Sequence, residues 1–547
     1  MLAYHACATT VADGSSVGTK IDHTTVADGS SVGTNSLLLH DYSFVKHSDP
    51  WLTSPNAAAL TRFAHRNMAQ AELSLSGERG GFTNYDGSDD VTQFDAGVEA
   101  FFRYNKRTVF FGSIAYDNFS GRHMAGSAFI HPDRKPFDLV EDSLTNQGTK
   151  HRDTYHLAGA CATTVADGFS VGMKIDYTAA NYAKYKDLRH QNKLMDLQLS
   201  AGLTYTVADG FSIGANYLYH RNTESITFGT YGTSDKVYKT LVAYANFTGH
   251  VEQFGQQGYT DKSREMPLVT NYNGGGAQAM VKLSQVTIFA DYAYSHGRGY
   301  YGRKSPYTIT YTDHHTDRHN LHAQVAYAPS PATRHRLDFS MDYEQLENNA
   351  NTYRELQNAS SATYYEYYTP VKTADKQWTN YQLAYTLDLG IREALPTWTI
   401  RTTVYRFDRQ QTAYGFPYYR RQHLRYTEGK AEVCRNILTD KGVWTVSLHG
   451  SFQKGNGSPC DDLTFQTPSD KQTAPASMEA YLLREYQYLT AAQFALGGSV
   501  KYAFVFPGTS LKTYAAISLT HRKANETTDF STGRNHTRAA VAIGCAF

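Results

Sequence analysis

The sequence predicts an all-β fold, a transmembrane antiparallel β-barrel of about 18 strands (roughly 14–20), with short periplasmic turns and long extracellular loops. Three observations predict it. Long segments alternate with period two: Trp444, Val446, Leu448, Gly450 and Phe452 interleave with Thr445, Ser447, His449, Ser451 and Gln453. Phe494, Leu496, Gly498, Val500, Tyr502 and Phe504 do the same against Gln493, Ala495, Gly497, Ser499 and Lys501. One face of such a strand suits lipid and the other a polar lumen. The connections also alternate in length. Compact turns at 104–108, 283–286, 328–334, 390–398, 439–443 and 506–510 are interspersed with polar stretches at 119–152, 222–275, 346–376 and 454–488. Finally, mean hydropathy is −0.51, and no apolar run approaches the roughly 18 residues of a membrane helix. The 42 Tyr and 27 Phe against 15 Pro suit strands and interfacial girdles.

Residues 1–35 hold a repeated sentence. "CATTVADGSSVGTK" (7–20) and "TTVADGSSVGT" (24–34) echo "CATTVADGFSVGMK" (161–174) and "TVADGFSIGAN" (206–216). The early copies lack long flanking strands, so 1–35 is expected to lie outside the barrel as a duplication. No basic stretch followed by an apolar run opens the chain, so on the barrel reading an export signal has been lost or replaced there. Residues 36–67 follow as a periplasmic or plug segment. In "SDPWLTSPNAAALTRFAHRN" (48–67), Ser54 is placed to cap a short helix, with Pro55 at its first position and Asn56 next.

The barrel itself is assigned to 68–547. Its two later repeat copies form matching hairpins, in which Gly168 and Gly210 supply the positive φ of an Ala-Asp-Gly turn. After the first turn Phe169, Val171, Met173, Ile175 and Tyr177 share a face, and Ser170, Gly172, Lys174 and Asp176 share the other. The closing "HTRAAVAIGCAF" sets Ala539, Val541, Ile543, Cys545 and Phe547 on the lipid side.

Fifty-two basic and fifty-one acidic residues give a net charge of +1, so no nucleic-acid footprint exists. Cys434 and Cys460 are the one pair considered for a disulfide. The densest metal-like cluster is "TDHHTDRHNLH", where His314, His315 and His319 stand beside carboxylates that together suit zinc or copper, against the plainer reading of a solvated loop. "NYDGSDD" (84–90) reads as an acidic outer loop, and "NGGGA" (273–277) as a flexible one without the Lys-Ser/Thr of a phosphate cradle. Lys174, Asp176, Arg401, Lys501 and Arg538 fall on lumen faces, where they tune a wet pore or pair and fill the interior. "ASSATYYEYYTP" (359–370) and "GFPYYRRQHLRY" (415–426) are aromatic outer segments able to stack on a sugar or dock a partner. No catalytic constellation or cofactor motif stands out, and an enzyme is not expected.

From about Leu38 to Phe547 the chain resembles a family of uncharacterised outer-membrane β-barrel proteins of Bacteroidota, through "SDPWLTSPNAAAL", the strand-and-turn order and the terminal "AVAIGCAF". "SPNAAAL" is more faintly similar to the Asn-Pro-Ala turn of fatty-acid-transporter barrels, which implies a hatch role for Asn56. The expected function is a channel or accessory component for solute uptake across the bacterial outer membrane. The expected partners are outer-membrane lipid, lipopolysaccharide and a TonB-dependent transport complex or surface lipoprotein. A non-transporting surface barrel that anchors partners by its outer loops is the alternative, and a barrel hydrolase a more distant one.

Overall fold

The computed structural model describes residues 38–547 apart from 142–145, 233–234, 256–264 and 527–530; the expectations for 1–35 lie outside the described residues. Eighteen strands form one sheet, and each neighbour pair is antiparallel. They are β1 (Asn67–Arg79), β2 (Asp90–Arg103), β3 (Thr108–Met124), β4 (Gly148–Ala166), β5 (Phe169–Lys184), β6 (Arg189–Ala208), β7 (Phe211–Gly229), β8 (Met266–Leu283) and β9 (Val286–Ser305). They continue as β10 (Thr308–Ser330), β11 (Thr333–Ala350), β12 (Val371–Leu389), β13 (Trp398–Gly415), β14 (Tyr418–Leu438), β15 (Val443–Thr464), β16 (Gln493–Val505), β17 (Lys512–Ala524) and β18 (Asn535–Ala546). Pairing of β1 with β18 closes the ring, with Leu73 opposite Ile543 and Leu75 opposite Val541.

The alternation decides which way each side chain faces. Leu496 and Leu448 are 71% and 65% exposed on the outer wall, whereas Gln493, Ser447 and His449 on the same strands are buried inside. A continuous apolar wall of this extent is stable only against hydrocarbon, and a closed ladder leaves no backbone group unpaired there. The fold is therefore a transmembrane barrel. Among the described residues no helix is long and apolar enough to cross a membrane. Exposed aromatic residues border the wall on both sides. Tyr104, Phe110, Tyr205, Tyr327, Tyr385, Trp398 and Trp444 lie toward the rim of short turns, and Phe94, Tyr155, Tyr217, Tyr292, Tyr294 and Tyr381 toward the other.

At the turn rim Gly168 and Gly210 take φ of 72° and 80°, as the hairpin sequence requires. The loop rim departs from expectation in two ways. Connections at 185–188, 306–307 and 416–417 are as tight as those opposite. Much of the polar sequence assigned to loops is strand instead: β10 and β15 run for 23 and 22 residues, twice the roughly 9–11 needed to span a bilayer. "NGGGA" lies within β8, and the histidine-rich stretch lies within β10. Beyond the membrane the outward face turns polar, so the apolar–polar alternation fades while ladder hydrogen bonds persist. Cys434 and Cys460 are free thiols, at opposite ends of the long β14–β15 hairpin.

Three outer connections fold back together. Segments Asp138–Glu141, Lys239–Ala245, Thr248–Gln253 and Ala476–Ser477 form a four-stranded sheet, accompanied by helix Glu479–Thr490. Its apolar side joins Tyr85, Val140, Leu241, Phe247, Tyr481 and Leu482 in one cluster. A second cluster packs Phe129, Phe137, Leu139 and Val242 against the inward Ile226, Phe228 and Tyr301 of the wall. These segments form a lid seated within the loop rim.

Candidate functional site in the barrel lumen

The lumen is sealed twice, and the floor is the segment ahead of β1. It contains a short helix Tyr42–Lys46 and 3-10 turns at Pro50–Thr53 and Ala57–Arg62. The last turn is capped by Asn56, whose Oδ1 accepts from the Ala58 N–H at 3.1 Å. Ser54, expected as the cap, instead ends the preceding turn, and its Oγ accepts from the Asn56 N–H at 3.1 Å. A side chain two residues further on fits the tighter 3-10 geometry that the Ala-Ala-Ala run adopts here.

Asn56 is 1% exposed and is the pivot of the floor. Its Nδ2 donates to the carbonyls of Leu203 and Ala215 at 2.9 and 3.2 Å and to Gln278 Oε1 at 2.9 Å. Gln278 in turn donates to Asn216 and Asp291 at 2.7 and 3.0 Å. Ser200 donates to the Pro55 carbonyl at 2.8 Å. Trp51 is buried edge-on against Phe289 at 5.3 Å. Three inward glycines make room for this. A Cβ at Gly172 would stand 2.6 Å from the backbone of Ala57 and Ala58, one at Gly214 would stand 2.8 Å from Asn56 and Trp51, and one at Gly202 would overlap Asn56 itself. Sequence reasoning missed these positions, although the repeat displayed two of them as the glycine of "FSVG" and "FSIG".

Charge fixes the rest of the floor. Glu99 accepts from Tyr42 at 2.5 Å and from Lys46 at 2.8 Å, and burial followed by the Glu99 charge holds the Tyr42 phenol far above its ordinary range. Arg62 pairs with Asp49 at 2.7 Å. Lys512 donates to the carbonyls of Leu38 and His40 at 3.1 and 2.9 Å.

The lid is held by its own charges. Arg409 on β13 grips Glu485 with both terminal nitrogens, at 2.9 and 2.6 Å. Arg134 reaches Glu344 at 2.8 Å and Lys135 reaches Glu224 at 3.0 Å. Lys150 donates to the carbonyls of Ala125 and Ser127 at 3.1 and 2.8 Å. Within the lid, burial pushes the Asp138 carboxyl up to about 6, even though Ser127 and Tyr85 both donate to it. Burial lowers the His131 imidazole to about 4.

Between wall and floor lies a cavity of about 560 Å³ lined by Lys46, Glu72, Asp95, Glu99, Asp117 and His156 among others. The five charges expected on lumen faces all point inward, and four of them have partners. Lys174 lies 3.4 Å from Asp176, which also meets His156 at 2.8 Å. Lys501 lies 3.9 Å from Asp41 of the floor, and Arg538 3.4 Å from Glu78. Arg401 keeps a buried Nε without an acceptor. The histidines are separated by the strand itself: His314 turns inward to Thr270 at 2.9 Å, while His315 and His319 face out. Among the described residues no three potential ligands gather as a metal group.

Residues 57–547 match the family described as "Family of unknown function (DUF6850)", and the chain belongs to that family. No curated protein matches it. Among solved structures it is similar to BauA, the ferric preacinetobactin receptor of Acinetobacter baumannii, at 8% identity and TM-score 0.40 over 88% of this chain and 80% of that one. For the ferric citrate transporter FecA the values are 10%, 0.38, 88% and 78%. For the TodX monoaromatic hydrocarbon channel mutant they are 8%, 0.31, 90% and 92%.

Proposed function

We propose that this barrel resides in the outer membrane of a Gram-negative bacterium, of the Bacteroidota by its sequence resemblance, and serves solute uptake as a gated channel or an accessory of a TonB-dependent complex. One observation carries the reading: two separate seals, floor and lid, enclose a lumen lined with ionisable groups instead of an apolar core. A purely structural barrel needs no ionisable lumen behind two independently anchored closures. The wall is continuous, so passage requires both the floor and the lid to move, and both are held by non-covalent contacts of modest individual strength. The expected solute is small and polar, matching the cavity volume and the hydrogen-bonding groups around it.

Planar-bilayer recording tests this. Wild-type protein is expected to be closed or to open rarely, and removal of residues 38–66 together with all three connections that build the lid is expected to give steady conductance. A doubly deleted barrel that folds and stays silent ends the proposal. One feature favours anchoring of a partner as a second reading: the hairpin of Tyr353–Gln357 and Thr363–Tyr367 forms its own two-stranded sheet, tied to β10 where Tyr367 Oη accepts from the Thr310 N–H at 2.8 Å and closed by Arg354 and Glu366 at 2.7 Å, with Tyr367 and Tyr368 exposed. On that reading, a surface lipoprotein or transport complex co-purifies with the wild type and not with a chain lacking 353–367.

A further inference from the structure

A second cavity lies on the outside of the barrel. It measures about 820 Å³ and is lined by Asn271, Asn273, His296, Arg298, Lys304 and His315, among others. These residues face outward on β8, β9 and β10, just beyond the aromatic border. Along β9 the outward positions read Ile288, Ala290, Tyr292, Tyr294 and then His296, Arg298, Tyr300. Apolar contact thus ends at Tyr294, and the next two outward positions are basic. A side chain at this height meets lipid headgroups rather than acyl chains or bulk water.

Local hydrogen bonds leave one cation available. His296 Nδ1 pairs with Asp317 at 2.9 Å, and its Nε2 accepts from Arg298 Nε at 3.1 Å. Tyr294 Oη donates to the same Asp317 at 2.6 Å. Lys304 is partnered by Asp313 at 3.3 Å and rests on the Tyr300 ring at 4.7 Å. Arg298 stands in register between Asn271 of β8 and His315 of β10, neither of them acidic. Arg298 lines the cavity with amide and imidazole groups on both sides, and the Asp313 carboxylate in the same lining is taken up by Lys304. A planar guanidinium flanked by neutral donors fits a phosphate with two parallel hydrogen bonds, and the amides suit the hydroxyls of an attached sugar.

We infer that this groove binds the phosphorylated sugar headgroup of an outer-leaflet glycolipid, with Arg298 on the phosphate and Asn271, Asn273 and His315 on the sugar. The inference rests on the outer-membrane placement proposed above. The apolar wall below the groove receives the acyl chains of the same molecule, so one ligand spans both surfaces.

The test uses full-length protein in nanodiscs doped with phosphorylated or enzymatically dephosphorylated lipid A, followed by native mass spectrometry of the detergent-released protein. Wild type is expected to retain the phosphorylated form at least tenfold over the dephosphorylated one. Arg298→Gln is expected to abolish that preference, while Arg435→Gln, an outward arginine at the turn rim, is expected to keep it. Equal retention of the two lipids by wild type, or an unchanged preference in Arg298→Gln, overturns the inference. Flotation of each variant with vesicles reports membrane placement separately, so a failure of placement is distinguishable from a failure of the site.

Discussion

Replacing Gly172 by alanine probes the floor with a single methyl group. The new Cβ would lie 2.6 Å from the carbonyl carbon of Ala57 and the amide nitrogen of Ala58, about 1 Å inside a comfortable contact. The wall cannot give way, because β5 is held in register on both sides, by β4 and by β6. The 57–62 turn must therefore recede and carry Asn56 with it, which weakens the donations to Leu203, Ala215 and Gln278. Overpacking of this kind costs about 1–3 kcal/mol, which raises the population of an unseated floor about 5- to 150-fold. Single-channel recording should show opening frequency rising by that factor, with heat-modified gel mobility of the barrel unchanged. Gly112→Ala is the control, since a Cβ there meets nothing within 4 Å. If Gly172→Ala opens no more often than Gly112→Ala, the idea that notches in the wall seat the floor is wrong.

Three further predictions follow from the same contacts. Asn56→Ala strips the donor from two carbonyls and Gln278 and should destabilise the seated floor by about 1–3 kcal/mol, read as faster disulfide trapping between cysteines introduced at 53 and in a turn of the short-turn rim. Arg409→Met leaves Glu485 buried without its cation and should loosen the lid by about 3–5 kcal/mol, seen as earlier proteolysis within 465–492 while β13 and β14 stay protected. Asp138 keeps its proton in the folded lid up to about pH 6, against 3.8 ordinarily. Between those values the folded state binds more protons than the unfolded, so lid stability should fall as pH rises through that window, by up to about 3 kcal/mol. Hydrogen exchange of residues 138–141 at pH 4.5 and 7.5 measures it, and Asp138→Asn should flatten the difference; an opposite slope would exclude Asp138 as the cause.

The wall was legible because its physics is local. Alternation on β15 and β16, and the glycines of the Ala-Asp-Gly turns, reveal strand, facing and turn without any long-range knowledge. The inward orientation of Lys174, Asp176, Arg401, Lys501 and Arg538 came from the same parity. Partners did not: Lys501 meets Asp41 and Arg538 meets Glu78 across long sequence separations that no spacing encodes. The lid was illegible for a related reason, since Asp138–Glu141 and Lys239–Ala245 become strands only by pairing with each other inside a mouth that the wall provides. The apparent histidine cluster shows parity overruling composition, because neighbours in sequence on a strand point to opposite sides. Asn56 was singled out for its motif, yet its importance became visible only with Gly202 and Gly214 beside it.

The ring is sealed by strands drawn from opposite ends of the barrel sequence. Until β18 reaches β1, the nascent sheet carries two raw edges, each a template for foreign pairing. Closure of the sheet therefore depends on one pairing between distant parts of the chain, and both borders stay open until it forms. A lesion that breaks the pairing of Asn535–Ala546 with β1 leaves the cylinder open along that seam, however perfect the other seventeen strands.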